Sequence, residues 1–303
     1  MMPTLFPPIL AETALPSSAV WNWDASPHAW GVVAVYLGLL LAGLGADAFL
    51  VVRLWVAPPD WRRHISRLQW RPVDMKLVSQ LFFTLFALFA LVNASQGLWQ
   101  AWTGRSPAGH PVLWVVLQSV TFHWTGLLLL GVLLARRRIS WRSAFGLDKR
   151  DWKRLFLLGV LFYLATMPFL WFYSALYQLA LKVLGVEPTW QDVAITLSSD
   201  QPLLVRLYLL SLAMVVAPLF EELFFRGLGL PLLAFRVGMG PAVAVISLLF
   251  AGIHLHLASL VPLFLISVAF SLAYLYSESI LVPVVMHGLF NGVNVGLMIL
   301  LRQ

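Results

Sequence analysis

The sequence predicts an all-α protein, a polytopic bundle of about eight transmembrane helices. Three features of the composition support that prediction. Of the 303 residues, 60% are hydrophobic and only 11% are charged, and the mean hydropathy is +0.85. Charged residues make up about a quarter of a typical soluble domain. So few charges cannot cover a water-exposed surface, whereas helices satisfy their own backbone groups and can cross a bilayer.

Eight hydrophobic segments follow one another, and most have the roughly 17–25 apolar residues that a spanning helix needs. We place them at Ala29–Val56, Leu77–Ala101, Val112–Ala135, Leu155–Leu184, Leu203–Phe220, Ala242–Leu257, Leu260–Tyr276 and Ile280–Leu301. Residues 1–28 are expected to be extramembrane, 29–184 a four-helix scaffold, 185–202 an extramembrane loop and 203–303 the helices that carry the chemistry. No polar stretch is long enough to fold alone, so one membrane domain is predicted.

The net charge of +7 is concentrated in two loops, with six Lys and Arg between Arg53 and Lys76 and eight between Arg136 and Arg154. Two predicted spans separate these loops, so both lie on one side of the membrane, which the positive-inside rule makes cytoplasmic. The charge therefore predicts membrane lipid, not nucleic acid, as a partner. We expect a multi-pass protein of a prokaryotic plasma (inner) membrane. The absence of cysteine excludes disulfides, thiolate metal sites and a cysteine nucleophile.

Polar clusters interrupt the apolar segments of the last third of the chain. Glu221, Glu222 and Arg226 occur together, although a charged side chain at the centre of a membrane helix costs about 2.5–3.5 kcal/mol. Glu222 and Arg226 stand at i, i+4 with the acid first, the favourable order for an ion pair. This pairing leaves Glu221 as the carboxylate free to face a cavity.

A helical hairpin brings the first cluster to the same depth as His254. The predicted connection lies at Val237 and Gly238, with Glu221 16 residues before Val237 and His254 16 residues after Gly238. We expect Pro231 to interrupt the helix, which limits this argument to about one turn, roughly 5 Å. A carboxylate and an imidazole at one depth can activate a water molecule between them.

Three motifs in order resemble those of a known family. The motifs are Glu-Glu-x-x-x-Arg from Glu221, Phe-x-x-x-His ending at His254 and His-x-x-x-Asn from His287. Together, on separate apolar segments, they resemble the CPBP family of CAAX proteases and bacteriocin-processing enzymes, which are intramembrane glutamic endopeptidases. The resemblance covers about residues 203–301.

The resemblance implies a role for each motif residue. Glu221 and His254 would activate the hydrolytic water, with Glu221 the main general base. His287 and Asn291 would hold the oxyanion of the tetrahedral intermediate. The implied substrate is a membrane-associated or prenylated peptide or protein, and no cofactor or metal is implied.

The same resemblance makes Glu222 and Arg226 accessory residues that order the site. Two other functions remain open. Glu221, His254 and His287 could instead hold a zinc ion with a water as fourth ligand, or the buried charges could serve a transporter or proton relay. One further imidazole in an apolar segment, His123, belongs to no motif, and we expect it to form a helix–helix hydrogen bond.

Overall fold

A computed structural model describes residues 29–69, 75–106, 109–147, 151–186 and 201–301, and no strand occurs within these ranges. The helices are α1 Ala29–Val56, α2 Trp61–Gln69, α3 Met75–Thr103, α4 Pro111–Arg136, α5 Trp141–Phe145, α6 Trp152–Val183, α7 Leu203–Val237, α8 Met239–Gly252, α9 Leu260–Ser277 and α10 Leu281–Leu301. The predicted segment 1–28 and most of the predicted loop 185–202 lie outside the described residues. The chain is an all-α integral membrane protein with several passes.

Seven helices in the described ranges are long and apolar enough to cross a bilayer: α1, α3, α4, α6, α7, α9 and α10. The predicted sixth segment, Ala242–Leu257, forms the shorter helix α8 of 14 residues, about 21 Å long at 1.5 Å per residue. The chain turns after Gly252, and Leu255 there adopts a φ of +49°. This turn ends α8 before it reaches the length of a full span.

The hairpin of α7 and α8 turns where the sequence predicts it. Gly238 connects the two helices with a φ of +85°, a conformation that glycine adopts without steric cost. The predicted interruption at Pro231 is wrong, because α7 stays helical from Leu203 to Val237. A wider π-helical turn over Leu223–Gly229 ends two residues before this proline, and it accommodates a ring that would otherwise clash with the preceding turn.

Small residues let the helices around α7 approach closely. A methyl group at Gly126 of α4 would overlap the Phe220 ring of α7. On the other side, a Cβ at Gly288 of α10 would lie 2.8 Å from the Met214 carbonyl oxygen. Lipid tails are as apolar as leucine, so membrane helices associate through this kind of close packing. Helices α4 and α10 are thereby held against α7 on either side of its polar residues.

The two basic loops meet at one end of the bundle. In the first loop, Arg67 of α2 forms an ion pair with Glu278 in the α9–α10 turn, with 3.2 Å between Nη1 and Oε2. In the second, the carbonyl of Phe145 in α5 accepts a hydrogen bond of 3.0 Å from the Ile280 amide of the same turn. Both loops therefore lie on one side of the bundle, as the charge distribution predicts.

Candidate active site

Wider π-helical turns occur where the polar residues converge. They span Ser119–Trp124 in α4 and Leu212–Val216 and Leu223–Gly229 in α7. Such turns are rare and often occur at functional sites, because the extra residue redirects side chains and backbone carbonyls. Here they carry His123, Ala213 and Arg226, respectively.

The predicted ion pair between Glu222 and Arg226 forms at the centre of the bundle. Both side chains are fully buried, with 3.0 Å between Nη1 and Oε1. Two serines of α9 complete the guanidinium's contacts. Nη2 donates to the hydroxyl of Ser267 and, at 2.9 Å, to its carbonyl oxygen, and Nε donates to the hydroxyl of Ser271 at 3.4 Å.

Aromatic rings enclose this ion pair. The Arg226 guanidinium lies 4.7 Å from the Phe250 ring centre and 5.3 Å from that of Phe270. Cation–π contacts of this kind strengthen when the cation is removed from water. The guanidinium is thus held both by polar groups of α9 and by two aromatic rings.

His287 connects the two glutamates. Its Nδ1 donates a 2.9 Å hydrogen bond to Oε1 of Glu222, and its ring stacks on Phe270 at 4.9 Å between centres. Its Nε2 lies 3.9 Å from Oε2 of Glu221. That gap is too long for a direct hydrogen bond and short enough for one water to contact both atoms.

Glu221 has one oxygen engaged and one free. Its Oε1 accepts a 3.3 Å hydrogen bond from Nε2 of His123. Its Oε2 is buried, and no donor among the described residues reaches it. Buried polar atoms are almost always hydrogen-bonded, so an unpartnered carboxylate oxygen is a position where a water or a substrate group is expected.

His254 lies just beyond the end of α8, against the same aromatic ring. Its Nδ1 donates to the Phe250 carbonyl at 2.8 Å. A carbonyl only accepts, so in the neutral ring Nε2 carries the lone pair. Phe250 contacts both histidine rings, with centre distances of 5.1 Å to His254 and 5.6 Å to His287. Within the described residues, no hydrogen bond or ion pair joins His254 directly to Glu221.

Asn291 lies one turn beyond His287 on α10. Its Nδ2 donates a 2.7 Å hydrogen bond to the carbonyl of Ala213 in α7. An amide nitrogen has two hydrogens, so one remains for another acceptor. This contact ties α10 to the π-helical turn that precedes the glutamates.

The structure therefore joins Glu222, Arg226 and His287 through direct hydrogen bonds, and Glu221 lies 3.9 Å from His287. His254 joins them through Phe250, and Asn291 through the α10–α7 contact. His123 is the residue that motif reasoning missed. It does form a helix–helix hydrogen bond, as expected, but the partner is Glu221 itself. The only sequence signal was an imidazole inside an apolar segment.

A metal ion needs several ligands that converge. In the described ranges, no three or more His, Asp or Glu side chains are grouped so that they could hold one. The triad of the zinc alternative, Glu221, His254 and His287, is therefore not arranged as a ligand set here.

The fold and the cluster define a multi-pass helical membrane protein with a buried glutamate–histidine–arginine site. Residues 203–293 match the Rce1-like family, described as type II CAAX prenyl endopeptidase Rce1-like. This match confirms the predicted resemblance to CAAX proteases over the segment that holds all three motifs. It indicates an intramembrane peptidase, which is a hydrolase. Comparison with curated proteins and with solved structures gives no match.

Proposed function

We propose that this protein is an intramembrane glutamic endopeptidase that hydrolyses a peptide bond with water activated by Glu221 and His254. One observation carries the proposal. Oε2 of Glu221, which no donor among the described residues reaches, lies 3.9 Å from Nε2 of His287 in a buried cluster, a distance at which one water or substrate oxygen can contact both atoms. The match of residues 203–293 to a peptidase family supports the same reaction class.

In this mechanism Glu221 is the general base. Its Oε2 takes a proton from the water as the water oxygen attacks the peptide carbonyl carbon. Nε2 of His254, which carries a lone pair while Nδ1 donates to Phe250, assists in orienting or deprotonating the water. The proton then passes to the leaving nitrogen as the carbon–nitrogen bond breaks.

The tetrahedral intermediate places a negative charge on the former carbonyl oxygen. His287 and Asn291 hold that oxyanion, since each has a nitrogen available beyond its structural contact. Nδ1 of His287 is engaged by Glu222, so Nε2 must carry a second proton while it donates. A preorganised donor in a water-poor site is typically worth about 3–4 kcal/mol of transition-state stabilisation.

Glu222 and Arg226 act as accessory residues that order the site. Glu222 accepts hydrogen bonds from both His287 and Arg226 on the same oxygen. It therefore fixes the plane of the His287 ring, with the Nδ1 proton directed at the carboxylate. This is how a carboxylate orients a working histidine without touching the substrate.

The substrate class follows from the membrane setting. A site buried among spanning helices is reached most directly by a peptide that is itself held in the bilayer. We propose a membrane-associated or prenylated peptide or protein as substrate, in the inner membrane of a prokaryote. A prenylated CAAX end combines a lipid anchor with a short peptide to be removed.

The test uses purified full-length protein in liposomes with a quenched fluorogenic peptide that ends in a prenylated CAAX sequence. Wild type should cleave it at one bond located by mass spectrometry, and Glu221→Ala should not. In parallel, Glu221→Ala expressed in native membranes should retain proteins that wild type releases. The proposal fails if wild type cleaves nothing and both proteins co-purify with the same partners.

A further inference from the structure

His123 contacts the proposed general base from a helix that carries none of the three motifs. Its Nε2 donates to Oε1 of Glu221 at 3.3 Å, and its side chain is 15% exposed. It is 98 residues away in sequence and lies outside the segment 203–293 that matches the peptidase family. The contact therefore exists only because α4 packs against α7.

The packing around His123 leaves its ring little freedom. The ring packs nearly perpendicular to those of Phe122 and Phe220, with centre distances of 5.4 Å and 5.6 Å. One turn further along α4, Gly126 lets the helix sit directly against the Phe220 ring. Phe220 is the residue before Glu221, so the same close approach fixes both ends of the hydrogen bond.

The π-helical turn Ser119–Trp124 contains His123. A turn of this kind changes the direction in which its side chains leave the helix. The ring also uses only one of its nitrogens, because no partner for Nδ1 occurs among the described residues. A histidine kept merely to join two helices would gain by satisfying both nitrogens.

We infer that His123 is a positioning residue for the proposed reaction: it holds Oε1 of Glu221, so that Oε2 is the oxygen presented to water and to His287. This inference rests on the proposed function of Glu221. A carboxylate held at one oxygen cannot rotate freely, and its other oxygen keeps the geometry needed for proton transfer. A misplacement of about 1 Å in such a group can lower turnover about 100-fold.

Three variants separate positioning from simple packing. His123→Phe keeps an aromatic ring but has no donor, and His123→Gln restores an N–H near the position of Nε2. The matched control is His110→Phe, which removes an exposed histidine just before α4. Each protein is measured in liposomes with the prenylated fluorogenic peptide, and its melting temperature is recorded.

We expect His123→Phe to lower kcat about 10- to 100-fold with KM changed by less than about twofold. His123→Gln should recover a large part of the lost turnover, and His110→Phe should match wild type. If His123→Phe keeps the wild-type kcat while Glu221→Gln is inactive, the inference about His123 is wrong and the proposed function of Glu221 stands. An equal loss in His123→Gln and His123→Phe would also overturn it, because the donor would then be irrelevant.

A second measurement does not depend on activity. In protein labelled with ¹³C-glutamate, the infrared carboxylate band of Glu221 is identified by its loss in Glu221→Gln. This band should shift in His123→Phe, return towards the wild-type frequency in His123→Gln and stay unchanged in His110→Phe. An unchanged band in His123→Phe would refute the contact. If Glu221→Gln is fully active, the proposed function fails, and the infrared result alone decides whether His123 orients Glu221.

Discussion

At the scale of single residues, the site depends on charges that are buried and mutually compensated. Glu222 and Arg226 have fully buried side chains 3.0 Å apart, and Arg226 also donates to two serines of α9. Removing two charges from water costs several kcal/mol for each ion, which only close pairing and further hydrogen bonds offset. The guanidinium of this pair also links two helices, because it extends from α7 and donates to serines of α9.

Arg226→Ala should lower both stability and activity. It removes the guanidinium that offsets the buried charge of Glu222 and leaves that carboxylate with its hydrogen bond from His287. Breaking a buried pair in this way typically costs about 3–5 kcal/mol. The melting temperature in detergent should fall clearly, whereas Arg236→Ala, an exposed arginine on the same helix, should leave it unchanged. Lost activity with an unaltered melting temperature would instead make Arg226 a substrate-facing residue.

Asn291→Ala separates the glutamic mechanism from the zinc alternative. As an oxyanion donor, Asn291 should contribute about 100- to 1,000-fold to turnover, with a smaller effect on substrate affinity. The wild-type enzyme should also keep its activity after extensive dialysis against a chelator. About one zinc per chain by elemental analysis, with activity lost on its removal and restored on its return, would overturn the glutamic assignment.

Some of the side-chain contacts in the site could be predicted from the sequence. The i, i+4 spacing predicts the ion pair of Glu222 and Arg226, because helical geometry alone brings these side chains together. The contact between His123 and Glu221 could not be predicted. It depends on the packing of α4 on α7 at Gly126, and a single sequence gives no signal for which distant helices touch.

At the scale of helices, α7 is the element that organises the site. It carries two π-helical turns, supplies both glutamates and is held between α4 and α10 at glycine contacts. The Ala213 carbonyl in its first π-helical turn accepts the hydrogen bond from Asn291. The spacing of α10 from α7 therefore controls where His287 and Asn291 stand relative to Glu221.

Gly288→Ala should disrupt this spacing. Its Cβ would lie 2.8 Å from the carbonyl oxygen of Met214, and a backbone atom cannot move aside as a flexible side chain can. We expect α10 to shift outward, with a loss of turnover and a lower melting temperature. Gly296→Ala on the same helix is the matched control, since nothing lies within 4 Å of its added methyl group. If Gly288→Ala and Gly296→Ala have the same turnover and the same melting temperature, close packing at Gly288 does not set the position of α10.

Helix positions were predictable, but helix irregularities were not. Runs of apolar residues predict the spans, and Gly238 marks the hairpin turn between α7 and α8. Pro231 predicts a break that does not occur, because the π-helical turn over Leu223–Gly229 accommodates the ring. Propensity rules for a regular α-helix do not anticipate a wider turn that gives the proline ring space.

At the scale of the whole molecule, the basic loops mark one end of the bundle. The basic loops carrying α2 and α5 meet at the turn that contains Glu278, so one end of the bundle is strongly cationic. Composition and charge distribution were sufficient to predict this arrangement. The division into a scaffold and a catalytic half stays a prediction, and His123 shows that α4 also contributes to the site.

Glu221 is the proposed general base, and one substitution tests this role most directly. Glu221→Gln keeps the size of the side chain and its contact with His123, but its amide cannot take a proton from water. With the prenylated peptide in liposomes, we expect its turnover to fall at least about 100-fold, in line with the usual contribution of general-base catalysis, while its melting temperature stays near that of wild type. A folded Glu221→Gln protein that cleaves the peptide at nearly the wild-type rate would contradict the account.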